Sequence, residues 1–266
     1  MSAGDFHGLR TEVVETAHLR VETAVDAGPR IVRLSKPGGA NVFAETPTAG
    51  WPTVHGRPFR LLGGHRLWAA PEPPLDQQVP DDEPVDVQVD DATVTVRKDG
   101  RLLELRLDGT RVHVRHVLTN DTDSTVRIAA WALTQLRPGG VAVVPLGSDG
   151  GPEQLPDRNV VLWPYSSLGD PRFALADREV RVRAIPGDGF FKVGCLNRTG
   201  HIAYELDDAT FVKRFAPEPE AEHTDGGSNV EVYVCDEFIE LETLSPLREL
   251  APGASIEHVE EWELHA

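Results

Sequence analysis

Between residues 93 and 117 the chain reads TVTVRKDGRLLELRLDGTRVHVRHV, and apolar and polar side chains alternate almost residue by residue. That period of two belongs to a strand with one face buried and one in water. Asp99-Gly100 and Asp108-Gly109 interrupt the run. Both residue types tolerate positive φ, so each pair predicts a tight hairpin turn and the segment a β-meander. The same pattern resumes in "TVRIAAWALTQL", "EVRVRAIPG", "FFKVGCLN", "HIAYEL", "TFVKRF", "NVEVYVC", "FIELETL" and "SIEHVEEWEL". Helical periodicity never persists beyond about two turns, which argues against α/β layering.

Three stretches rich in Pro, Gly and Asp, at 71–84, 138–158 and 217–228, are expected to be long surface loops. Strand patterns restart directly after each, and the composition on either side is the same. The expected architecture is therefore one all-β, predominantly antiparallel sandwich domain over residues 1–266. In such a domain the sheets are the rigid frame and the loops carry chemistry.

Composition narrows the function. A formal net charge of −17 repels phosphate backbones and anionic lipid, so neither nucleic acid nor a membrane surface is an expected partner. The two cysteines, Cys195 and Cys235, form no disulfide framework or metal pattern and are expected reduced and buried. With no basic, apolar leader at the start and no run of about twenty apolar residues, the expectation is a soluble, cytoplasmic protein. Phosphate-cradling loops, GxSxG elbows and HExxH pairs are missing, and no cofactor or metal site is expected.

Four stretches could carry chemistry. "LLGGHRLWAAPEPP" sets His65, Arg66, Trp68 and Glu72 within eight residues. If the segment is extended, His65 and Leu67 share one face while Arg66 and Trp68 share the other, unless the glycines twist it. "CDEFIELETLSP" places Phe238, Glu240 and Glu242 on one side, with Ile239, Leu241 and Leu244 expected in the core. Paired carboxylates suit acid–base work on hydroxyl groups, because burial and mutual repulsion raise one pKa. Lys192, His201, Lys213 and Arg214 are cations that would attract a carboxylate-bearing ligand if clustered; as strand residues they are expected scattered. Trp163, Tyr165 and Phe173 could form a platform for a sugar ring. His116 shares a face with Val112 and Val114 and is expected to be a hydrogen-bonded core histidine.

Three segments make the chain resemble the galactose-mutarotase-like, or aldose 1-epimerase-like, superfamily. They are "VDAGPRIVRLSKPGGANVF", "VRHVLTNDTDSTVRIAAWAL" and "IELETLSPLRELAPGASIEHVEEWEL". The resemblance implies a β-supersandwich with a carbohydrate cleft on one sheet. It implies that Glu242 is the base that takes the anomeric proton, with Glu240 beside it. The family's histidine acid follows the middle segment, where this chain reads "WALTQLRPGG" and has only Thr134 and Gln135. Catalysis would then need another proton donor, with His65 first and His201 next, while Arg66, Trp68, Glu72, Lys192 and Trp163 hold the sugar. The expected function is an epimerase-like isomerase acting at the anomeric carbon of a monosaccharide. The alternatives are a sugar-binding relative without catalysis and, third, a lyase on acidic sugars with Tyr165 or Tyr204 as acid.

Overall fold

In the structure, a computed structural model, residues 2–147, 154, 156–187 and 189–265 are described. Residues 148–153 and 155 of the loop expected at 138–158 lie outside them. Two sheets pack face to face. The first runs Ser2–Phe6, Leu9–Glu15, Arg20–Ala24, Arg30–Ser35, Phe59–Ala70, Val126–Leu136, Ile239–Leu244, Val230–Val234, Phe191–Cys195 and Val161–Leu162 in spatial order. Glu45–Trp51 and Arg248–Leu250 join it as side partners of Phe59–Ala70 and Val126–Leu136. The second runs Phe173–Leu175, Glu179–Arg183, Val141–Pro145, His201–Glu205, Thr210–Phe215, Ser255–His265, Arg111–Thr119, Arg101–Asp108, Thr93–Lys98 and Asp86–Asp90. Neighbouring strands pair antiparallel in both sheets. Among the described residues no helix is long and apolar enough to cross a membrane.

The meander at 93–117 forms as its alternation predicts. Val94, Val96, Leu103, Leu105, Leu107, Val112 and Val114 face the main core between the sheets. Asp99 and Gly100 both take positive φ, as the first turn requires. The second turn sits one residue later than the sequence indicates: Asp108 pairs with Arg111, so Gly109 and Thr110 are its central residues. His116 is fully buried, and Cys195 and Cys235 are free and buried, all as expected.

The two glycines of "LLGGHRLW" have a structural duty. Phe59–Ala70 pairs first with Glu45–Trp51 through Gly63, then with Val126–Leu136 from Gly64 onward. Leu62, Gly63 and Gly64 all adopt positive φ where the strand changes partners. A Cβ on Gly63 would lie 1.9 Å from the carbonyl oxygen of Ala44, and one on Gly64 2.1 Å from that of Ile31. Only glycine lets three backbones approach this closely. The corner is fastened by buried Arg30 of the "GPRIV" motif, which donates to the carbonyls of Leu61 and Gly63 and pairs with Asp81 at 2.6 Å. Gly64→Ala is expected to cost at least about 2 kcal/mol, because it adds a left-handed strain to a backbone clash. A thermal melt checks this; an unchanged midpoint would show that the corner can relax.

Candidate functional site

Five adjacent strands of the first sheet supply the floor of a cleft of about 640 Å³. Register determines which side chains reach it. Arg66 lies opposite Leu133, Leu133 opposite Glu242, and Glu242 opposite Glu231. The next row holds Gln135, Glu240, Tyr233 and Lys192. Residues directly opposite across antiparallel strands share a face, so all eight project to the same side, away from the second sheet. Trp68 faces Trp131 in a further row, their rings 5.7 Å apart. Trp51, Glu72, Leu75, Trp163, Tyr165, Phe190, Glu237 and Phe238 complete the walls.

Charge in the cleft is organised around two cations. The Lys192 ammonium donates to Glu231 at 2.6 Å and Glu242 at 2.9 Å, and lies over the rings of Trp131 and Trp163. Burial alone would make it shed its proton, but the two carboxylates hold its pKa well above the usual lysine value. Glu242 also accepts from the Trp131 indole at 2.7 Å. Arg66 is stacked on Trp68, its guanidinium carbon 4.2 Å from the ring centre, and is 3.7 Å from Glu240. Its Nε and Nη1 are buried and make no hydrogen bond. Glu240 accepts from Gln135 at 2.8 Å. Burial, then repulsion from Glu242, lifts its pKa to about 7 against the pull of Arg66. Burial also raises the carboxyl of Glu72, which accepts from Gln78. Tyr165 and Tyr233 are pushed upward by burial and stay protonated donors.

Arg66, Trp68, Glu72, Trp163, Lys192 and Glu240, all singled out from the sequence, therefore meet in one cleft. Several other expectations are corrected. His65 does not face Glu242. One residue from Arg66 on a strand, it points the opposite way and is wholly buried between the sheets. There Thr134 is 2.8 Å from its Nδ1, and its Nε2 is 2.8 Å from His116 Nε2. Since His116 Nδ1 donates to the His258 carbonyl, its Nε2 is bare, and His65 must be the donor of that bond. Burial and the neighbouring His116 hold the His65 pKa well below the usual histidine value. It is a neutral core residue and has no route to a ligand.

His201 lies on the second sheet, paired with Arg214, and so is no substitute acid. Glu242 is on the expected side of its strand but fully buried beneath Lys192 and Trp131, and of the two strand glutamates it is Glu240 that lines the cleft. Leu244 shares the face of these glutamates and packs with Trp68, Trp131 and Phe238 in a second apolar cluster, not in the inter-sheet core. Phe173 leaves the aromatic platform and packs on Phe191, 5.2 Å between ring centres. Lys213 is scattered from the others, as expected, but is fully buried. Trp131, Tyr233, Gln135 and Glu231 were not anticipated as site residues. Their signal is the same alternation, since each sits directly opposite a site residue on the neighbouring strand.

His65, His116 and Glu260 offer ligand atoms within 4.8 Å of one another between the sheets. The two imidazoles already share a proton, and Lys213 lies 2.9 Å from Glu260. Each of the three groups thus has a hydrogen-bond or ion-pair partner inside this polar core.

No protein family's sequence profile matches the chain, and no curated protein matches it. Solved structures do. A TPR-domain containing protein from Parabacteroides distasonis superposes over 97% of this chain at 14% identity with a TM-score of 0.66. This chain spans 47% of that protein's length. A provisionally named aldose 1-epimerase from Klebsiella pneumoniae matches over 100% of this chain and 82% of its own, at 12% identity and a TM-score of 0.62. For a galactose mutarotase-like protein from Lactobacillus casei the figures are 96%, 100%, 11% and 0.54. Paired antiparallel sheets, matched almost end to end, identify the architecture: the chain has the galactose-mutarotase-like β-sandwich fold.

Proposed function

We propose that the cleft binds a monosaccharide and interconverts its anomers by proton transfer, with Glu240 as the group that exchanges a proton with the anomeric hydroxyl. The observation that carries this reading is a carboxyl with a pKa of about 7 at the floor of an aromatic-walled cleft, beside a guanidinium with unused donors. A pKa near the working pH suits a general base that must also return its proton. Aromatic faces and converging polar groups suit the C–H faces and hydroxyls of a sugar. The likeness to mutarotase-like structures points the same way.

In the reaction Glu240 removes the proton of the anomeric hydroxyl while the ring oxygen gains one. The bond between the anomeric carbon and the ring oxygen breaks, and the open-chain aldehyde turns about its carbon–carbon bond. Reclosure with the protons returned gives the other anomer. Glu72, its carboxyl also raised by burial, supplies the second proton in place of the histidine this chain lacks. Glu242 keeps Lys192 charged and in place. Exchange between α and β anomeric proton signals, in the presence of catalytic amounts of protein, tests the reading. Silence across neutral, amino and phosphorylated monosaccharides would exclude it. If Glu240 is the base, the rate rises with pH through about 7, because only the ionised carboxylate can accept the proton. A flat profile from pH 6 to 8 would remove Glu240 from that role.

A further inference from the structure

The charges of the cleft do not balance. Arg66 and Lys192 are its cations, and they face the carboxylates of Glu72, Glu237 and Glu240, with Glu231 and Glu242 under the floor. Lys192 is already committed to Glu231 and Glu242, and Arg66 leans on Glu240. The carboxylates that reach the cleft, those of Glu72, Glu237 and Glu240, offer only acceptor oxygens when ionised, and the buried Oε1 atoms of Gln135, Glu231 and Glu242 lie behind the lining with no donor of their own.

One wall adds a second feature. Tyr165, Phe190, Tyr233 and Phe238 form a chain of ring contacts with centres 6.4, 5.8 and 5.9 Å apart. Glu237 and Glu240 flank Phe238 in the sequence and line the same cleft. Ring faces attract cations, and do so more strongly where water is excluded. Carboxylates set beside such a wall reinforce that preference and disfavour anions.

We propose that the cleft's ligand is an amino sugar carrying a free, protonated amino group, and that phosphorylated and uronic sugars are turned away. This rests on the reading of the cleft as a monosaccharide site and names the class of sugar. An ammonium can donate to the carboxylates of Glu237 and Glu240 that line the cleft, and its charge offsets the surplus of carboxylate. A phosphate would bring further negative charge to the same carboxylates. The unused Nε and Nη1 of Arg66 are left for a hydroxyl or ring oxygen. The raised carboxyl of Glu240 fits this account, since a bound cation would let it ionise and release its proton.

The test is an NMR titration of the wild-type protein at neutral pH with glucosamine, glucose, N-acetylglucosamine and glucose 6-phosphate, reading anomer exchange in the same spectra. Glucosamine is expected to bind at least about tenfold tighter than the two neutral sugars, the scale of one partly desolvated cation contact. The advantage should shrink with added salt, and Glu237→Gln should narrow it. Glucose 6-phosphate should not bind. Equal or tighter binding of glucose, N-acetylglucosamine or the phosphate overturns the amino-sugar inference, and catalysed exchange of that sugar's anomers would leave the mutarotase reading standing. No binding and no exchange with any of the four overturns both.

Discussion

Replacing Glu240 with glutamine is expected to lower catalysed anomer exchange by at least about a hundredfold, the usual scale for losing a positioned proton-transfer group. The amide is nearly isosteric and its oxygen can still accept from Gln135, which now donates to Glu240 at 2.8 Å. What disappears is the ability to take up and return a proton near pH 7. Loss of exchange with the fold intact and the sugar still bound would place Glu240 at the reacting atoms. Glu242→Gln makes the necessary contrast. Its carboxylate is one of two holding Lys192 and also accepts from Trp131, so its loss should weaken both the fold and sugar binding. If Glu240→Gln exchanges anomers at the wild-type rate and Glu242→Gln does not, the buried glutamate is the base after all, and the cleft must open to expose it.

The second large effect is expected behind the cleft. Lys213 donates to Glu260 at 2.9 Å, to the Leu241 carbonyl at 3.1 Å and to the Ala132 carbonyl at 3.2 Å, all with no exposure to water. Its ammonium thus ties the second sheet to the two strands that carry Trp131, Leu133, Glu240 and Glu242. Burial opposes the charge on Glu260, yet the Lys213 ammonium holds its carboxyl well below the usual range. Thr243 and the Trp262 indole also donate to it.

Lys213→Met strands a buried carboxylate and is expected to cost about 3–5 kcal/mol, the range for breaking a buried pair from one side. Adding Glu260→Gln removes the second charge and keeps an acceptor for Trp262, so the double variant should regain much of that loss. Urea unfolding followed by tryptophan fluorescence measures both. A double variant no more stable than Lys213→Met would mean that the cost lies in the lost carbonyl contacts and not in the unpaired charge.

Both experiments depend on a distinction that the sequence states only locally. Alternation in "GGHRLWAA" already separates His65 from Arg66, and alternation in "FIELETL" already aligns Glu240 with Glu242. Those periods survive folding because a strand's successive side chains must point to opposite faces. They also contradict any pairing of His65 with Glu242 across a ligand, since the twist at Gly63 and Gly64 ends before His65, which pairs regularly with Thr134. The glycines that could have rotated His65 into the cleft serve instead to pass the strand from one neighbour to the next. Leu244 misleads for a related reason. An apolar residue on the glutamate face reads as core, and here that face carries its own apolar cluster under Trp68 and Trp131.

Strand positions, the first hairpin turn, the all-β class and the alternation that separates His65 from Arg66 and aligns Glu240 with Glu242 follow from the sequence itself, because period and φ preference are properties of neighbouring residues. Only the tertiary structure could decide that Glu240 reaches the cleft while Glu242 is sealed beneath Lys192, and that His65, His116, His258, Lys213 and Glu260 form a polar core between the sheets. Burial, pairing and the resulting pKa depend on which strands lie side by side. Lys192 and Glu242 are fifty residues apart in the chain and 2.9 Å apart in the fold, and no local pattern encodes a contact of that kind.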